Sequence, residues 1–193
     1  GLGSLRFESD YKIFFSDDNP QLLAHEANQE TYTKSDNITF VIAPKDESIF
    51  TPETLSSIKK LTDESWKMPF SSRVDSITNY QHTWVEEDDL IVEDFVLKPE
   101  STSLERLNEL KDIALSEPQL VNYLISSRAH ATAISVNLNL PEIREEADKA
   151  TVEVVAYSRV LRDKIEAENP NLKIYLIGQT VVNNTFNEMS TQD

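Results

Sequence analysis

The feature that most constrains the fold is a strand–helix–strand pattern within residues 128–178. Apolar and polar residues alternate over 134–140, which is the period of a half-buried strand. Apolar residues then recur every three or four positions, which predicts a helix with one buried face over 141–168, ~40 Å long at ~1.5 Å per residue. A second strand is predicted over 172–177. Such a unit predicts two parallel strands with a right-handed connection.

A second unit of the same kind precedes it. Residues 37–43 are apolar on both faces, which predicts a central strand. Thr51 is the expected cap of the next helix, and residues 74–78 are its following strand. Between the two units, residues 80–97 predict a hairpin or an extended excursion with an acidic tip, and Thr102 with Glu105 forms the pattern of a capping box. The order predicts an α+β domain: a ferredoxin-like split βαβ fold (βαβ–insertion–βαβ) with helices packed on one face of a mixed sheet.

The chain accordingly divides into three parts. Residues 1–36 are an N-terminal segment containing a helix, residues 37–178 are the βαβ–hairpin–βαβ domain, and residues 179–193 are a C-terminal helix. No apolar run approaches the ~18 residues that would indicate a membrane span, and no signal peptide is evident.

Charge and composition limit the classes of partner and of chemistry that this chain can have. The chain carries 34 acidic and 18 basic residues, a net charge of −16. This disfavours nucleic acid and anionic lipid surfaces, which are bound by clustered Lys and Arg. The absence of cysteine excludes disulfides and thiol nucleophiles. Gly178 is the one glycine inside the chain, so glycine-rich phosphate loops are excluded.

Candidate catalytic patterns are weak. His25, His82 and His130 lack the local spacing of a metal site, and the acidic run 86–89 lacks the turn glycine of a calcium loop. No nucleophile elbow is present. We therefore predict no catalytic residues, no metal, no cofactor and no enzymatic activity, although paired carboxylates among 34 acidic residues leave an enzyme as an alternative.

Two tryptophans and one glycine have two interpretations each. Trp66 and Trp84 could line a binding groove, but large aromatic side chains are mostly buried, which favours the core. Gly178 follows a strand, which favours a backbone position that needs a positive φ or close packing over one that contacts a ligand.

The order of several short motifs resembles that of one family. It is similar to the first extracytoplasmic loop of exporters of the RND superfamily, in the MMPL-like or hydrophobe/amphiphile efflux branch. The resemblance covers nearly the whole chain, and only the ordered set is specific. The matching segments are residues 7–10 (FESD), 15–20 (FSDDNP), 50–53 (FTPE), 74–79 (VDSITN), 88–92 (DDLIV) and Gly178. The segment 126–130 (SSRAH) departs from the family, which often has an Asp-Gly turn there.

The resemblance implies a periplasmic porter domain, joined at both ends to membrane helices, of a proton-driven exporter. Its two βαβ halves would move as rigid units around a cleft. Substrate-binding residues would be Phe14, Phe15, Trp66 and Trp84. Implied partners are a hydrophobic or amphiphilic small molecule or lipid, the transmembrane part of the same polypeptide, and either further copies of the chain or a periplasmic accessory protein. The alternative is a free-standing ferredoxin-like ligand-binding or sensor domain.

Overall fold

The computed structural model describes residues 36–121, 123–178 and 180–181. Within them the chain forms a mixed α/β structure with three α-helices, a four-stranded sheet and a separate two-stranded hairpin. The elements are β1 (Asn37–Pro44), α1 (Pro52–Ser65), β2 (Ser71–Asp75), β3 (Gln81–Glu86), β4 (Asp89–Asp94), α2 (Leu104–Ser116), β5 (Thr132–Leu138), α3 (Arg144–Glu168) and β6 (Leu172–Ile177).

Several predictions concern residues that the structure does not describe. The N-terminal segment 1–36, except for its last residue, lies outside the described residues, and so do Phe14, Phe15 and His25. Of the C-terminal helix predicted over 179–193, the structure describes residues 180 and 181, which are helical.

The four-stranded sheet has the order β2–β5–β1–β6, with β1 inside as predicted. Phe40 of β1 lies opposite Ile134 of β5 and Leu176 of β6, and all neighbouring strands are antiparallel. The prediction of a mixed sheet was therefore wrong. The two strands of each βαβ unit do run parallel to each other, but a strand of the other unit lies between them.

This interleaving also corrects the expected motion of two rigid halves. β1 of the first unit is hydrogen-bonded along its length to β5 and β6 of the second. Separating the units would break these ladders and open the core, so the two units do not move apart as rigid bodies.

All three helices contribute to one core on one face of the sheet. Alternation in β1 directs Ile38, Phe40 and Ile42 towards this core, and each is fully buried. Burial of an apolar side chain of this size contributes ~1.5–3 kcal/mol. The helical residues that meet them include Leu55, Ile58, Leu61, Leu107, Leu110, Val154, Leu161 and Ile165.

The other face of the sheet is also buried at its centre. Val41 and Ala43 of β1 form a small cluster there with Tyr175 of β6, and Ile177 packs against it. Burial on both faces explains why β1 is apolar from Phe40 to Pro44 instead of alternating between apolar and polar residues.

Element boundaries follow local hydrogen bonds. Thr51 caps α1 as predicted, because its Oγ1 accepts the Thr54 N–H at 3.2 Å. The capping box at Thr102 was wrong by one residue: the Thr102 hydroxyl donates to the Lys98 carbonyl at 2.7 Å, so Ser103 caps α2 instead.

Two further boundaries differ from the predictions. α3 begins at Arg144 instead of residue 141, because the first helical hydrogen bond runs from the Ala147 N–H to the Ile143 carbonyl at 2.8 Å. β5 ends at Leu138, two residues before the predicted end, although the Asn139 N–H still donates to the Phe70 carbonyl at 2.9 Å.

Gly178 has the predicted backbone role. Its φ is +116°, and a Cβ atom at this position would lie 2.7 Å from the Asn37 carbonyl oxygen. Any side chain would therefore meet both backbone strain and a steric clash.

Candidate functional site

The most distinctive part of the described chain is the hairpin of β3 and β4. Glu86 pairs with Asp89 across a two-residue loop, so the acidic run forms the tip, as predicted. Glu87, the first loop residue, has a φ of +55°, which favours glycine. Among the described strands, β3 and β4 pair only with each other.

Aromatic rings hold the base of the hairpin. The His82 ring stacks on Trp84 at a centroid distance of 5.5 Å and meets the buried ring of Phe95 edge-on at 5.7 Å. The Tyr80 ring also meets Phe95 edge-on, at a centroid distance of 6.4 Å, and the Phe95 N–H donates to the Tyr80 carbonyl at 2.8 Å. These contacts fix one face of the hairpin to the body of the protein.

The Tyr80 hydroxyl ties this base to the segment after α2. It lies 3.3 Å from Gln119 Oε1 and 3.5 Å from Glu117 Oε2. Burial raises the pKa of Tyr80, and the negative charge of Glu117 raises it further. The neutral phenol is thus the form that the folded protein favours.

The other face of the hairpin is apolar and open to solvent. Val85 and Leu90, which are cross-strand partners, are 68% and 69% exposed, and Val92, the partner of Thr83, is 54% exposed. Because alternate residues of a strand share one face, these four side chains form a continuous surface. We call Thr83, Val85, Leu90 and Val92 the outer face of the hairpin.

The predicted substrate-binding tryptophans lie on different elements, Trp66 at the end of α1 and Trp84 in β3. Trp66 lies at the end of α1 and is 49% exposed, so the core interpretation was wrong for it. Trp84 is half-buried against His82 and lies outside the core clusters, so that interpretation was wrong for it as well.

His130 lies in a closed loop. Its Nδ1 is 2.9 Å from the hydroxyl oxygen of Ser126, which is fully buried. The same oxygen accepts the N–H groups of His130 and Ala131 at 3.1 and 3.0 Å. A hydroxyl so enclosed stabilises the turn and is closed to a substrate. Over residues 36–121, 123–178 and 180–181, no three His, Asp or Glu side chains are grouped to hold a metal ion.

One hydroxyl cluster was missed in the sequence. Thr62 Oγ1 on α1 lies 2.9 Å from Ser76 Oγ, which is 2.8 Å from Thr78 Oγ1, and all three residues are buried. Asn79 closes the same turn by accepting the Ser76 N–H at 2.9 Å and donating to the Val74 carbonyl at 2.8 Å. The residues of the 74–79 motif thus hold the end of β2 to α1. This motif was recognised in the sequence, but Thr62 was not identified as its partner, because Thr62 is distant in sequence.

Comparison with protein families and with curated sequences identifies no relative. No protein-family model matches the chain, and no curated protein matches its sequence. In the part of the chain that the structure describes, no helix combines the length and apolar character needed to cross a membrane.

Proposed function

We propose that residues 37–178 form a ferredoxin-like split βαβ domain. The supporting observation is the strand order β6–β1–β5–β2, in which β5 lies between the two strands of the first unit and β1 between those of the second. Two interleaved βαβ units of this kind are the defining arrangement of the split fold. The hairpin and α2 form the insertion between the units.

We infer further that this domain is a periplasmic porter domain of a proton-driven RND-type exporter. The support is the position of the four motifs that carry the resemblance and lie within the described residues: each of these four lies at a junction of the fold. Residues 50–53 begin α1, residues 74–79 end β2, residues 88–92 turn into β4, and Gly178 ends β6. The transmembrane part of the same polypeptide would carry the protons, and the domain would perform no chemistry.

The domain would help to bind or pass hydrophobic or amphiphilic, lipid-like substrates. Trp66 is the described residue best placed for this, because a large ring that is half exposed at a helix end offers apolar contact area to a ligand. The net charge of −16 favours neutral or cationic amphiphiles over anionic ones.

Binding of a cationic amphiphile tests the substrate class. Dodecyltrimethylammonium, below its micelle-forming concentration, should bind the wild-type domain, and Trp66→Ala should weaken this binding about tenfold through loss of apolar contact. Val160→Ala, which truncates an exposed apolar side chain on α3, is the control. Equal affinity of Trp66→Ala and wild type, measured by calorimetry, would contradict the role of Trp66.

A further inference from the structure

The outer face of the hairpin is unusual among the exposed apolar residues of this protein. Its members are neighbours: Val85 lies directly opposite Leu90, and Thr83 opposite Val92, so paired Cβ atoms are ~5 Å apart. On α3, by contrast, Val152 and Val160 are exposed to a similar degree but lie two turns apart, ~12 Å along the helix. The hairpin therefore offers a continuous apolar surface.

Within the described residues, the backbone of the hairpin also offers strand edges that pair with no other strand. The hairpin has two strands that pair with each other, so each has one outer edge without a described partner strand. Every second residue along such an edge directs its N–H and C=O groups outward. An added strand could be hydrogen-bonded there while its side chains meet the apolar surface.

Charge decides which partner suits this surface. Residues 81–94 contain six acidic side chains and no Lys or Arg. Glu87 and Asp88 form the tip at one end of the outer face, and Asp94, which accepts a hydrogen bond from Gln81, lies at the other. The apolar surface is thus bordered by negative charge at both ends.

Two occupants are disfavoured by this arrangement. A second copy would bring another six carboxylates, within a chain of net charge −16, against the first six. An anionic membrane surface would be repelled in the same way. A protein segment that combines apolar and basic side chains can pack on the apolar outer face and pair with the acidic residues at its ends.

We propose that the hairpin is a docking element for a basic, extended segment of a partner protein. The segment adds a strand to one edge of the hairpin, extends the apolar surface of the outer face with its own apolar side chains, and pairs its Lys or Arg residues with the acidic ends. This interaction is separate from the binding of an amphiphile at Trp66.

The test uses a synthetic probe, the peptide Lys-Val-Lys-Val-Lys-Val-Lys with blocked ends, titrated into the whole chain and followed by NMR of the backbone amides. Shifts should be concentrated in residues 81–94, and the affinity should fall with rising salt concentration. Val85→Ser with Val92→Ser should weaken binding about tenfold through lost apolar burial.

A matched control variant distinguishes the apolar face of the hairpin from exposed valines elsewhere on the protein. Val152→Ser with Val160→Ser removes two valines of nearly the same exposure, 53% and 70%, and should leave the affinity unchanged. If the hairpin variant alters hairpin structure, Glu87→Gln with Asp88→Asn retains the apolar face and should weaken binding and reduce its salt dependence.

Specific results would overturn the proposal. These are equal binding of a peptide with Ser in place of Val, tight binding of a peptide with Glu in place of Lys, or shifts spread evenly over the acidic surface. Dimerisation of the wild type that is lost in Val85→Ser with Val92→Ser would identify a second copy as the occupant instead.

Discussion

The hydroxyl oxygen of Thr62 on α1 lies 2.9 Å from that of Ser76, at the turn that follows β2. Thr62 donates its own hydrogen to the Ile58 carbonyl at 2.8 Å and therefore accepts from the hydroxyls that surround it. The contact fixes a helix to the strand end from which the hairpin chain departs.

Replacing Thr62 by Val should destabilise the protein by about 1–3 kcal/mol, because the buried hydroxyls of Ser76 and Thr78 lose a partner while the side-chain volume is kept. Urea unfolding measures the change. Thr83→Val, the same substitution on the exposed outer face of the hairpin, should alter the free energy of unfolding by less than ~0.5 kcal/mol. A Thr62 variant as stable as the wild type would show that the cluster contributes nothing.

Gly178→Ala should destabilise the protein by about 1–3 kcal/mol, since the residue has a φ of +116° and its new methyl group would meet the Asn37 carbonyl. Thermal unfolding detects this. Asn37→Ala alone cannot relieve the effect, because the closest atom belongs to the Asn37 backbone. An unchanged melting temperature would contradict the close approach.

Glu87→Gly should stabilise the hairpin by about 1 kcal/mol, because its φ of +55° is strained for a residue with a Cβ atom. Slower amide hydrogen exchange in β3 and β4 is the measurement. Asp88→Gly removes the same charge from a residue whose φ is not positive, so it should accelerate exchange instead. Equal effects of the two substitutions would indicate that charge, not backbone strain, dominates.

Tyr80 should make the protein less stable in alkali. Burial, aided by Glu117, raises the pKa of Tyr80 in the folded state. Because the pKa is raised, the stability that the neutral Tyr80 side chain contributes is complete below the unfolded pKa of about 10. It is lost as the pH rises through the folded pKa. Tyr80→Phe should therefore show a smaller loss of stability between about pH 9 and pH 11 than the wild type, by urea unfolding. Equal losses of stability in Tyr80→Phe and the wild type would exclude Tyr80 as a source of the alkaline destabilisation.

Local patterns predicted the local elements well. Thr51 followed by Pro52 marked the start of α1, and the acidic run between two short apolar strands marked a hairpin. The predicted capping box failed because a turn ending at Thr102 already uses its hydroxyl, which is a contact that residue type and spacing do not reveal.

The sequence patterns did not predict which strands pair in the sheet. The strands of each βαβ unit were recognisable, but nothing in their alternation showed that β1 would lie between β5 and β6. The tryptophans failed for a related reason: hydrophobicity predicts burial on average, whereas the exposure of Trp66 depends on what packs at the end of α1.

The central claim, that this domain is part of a membrane exporter, is tested most directly by fractionating cells and detecting the native protein with an antibody raised against residues 37–178. The proposal predicts a membrane-bound species several-fold heavier than 22.0 kDa. A species of about that mass in the soluble fraction would contradict it and would favour a free-standing ligand-binding or sensor domain.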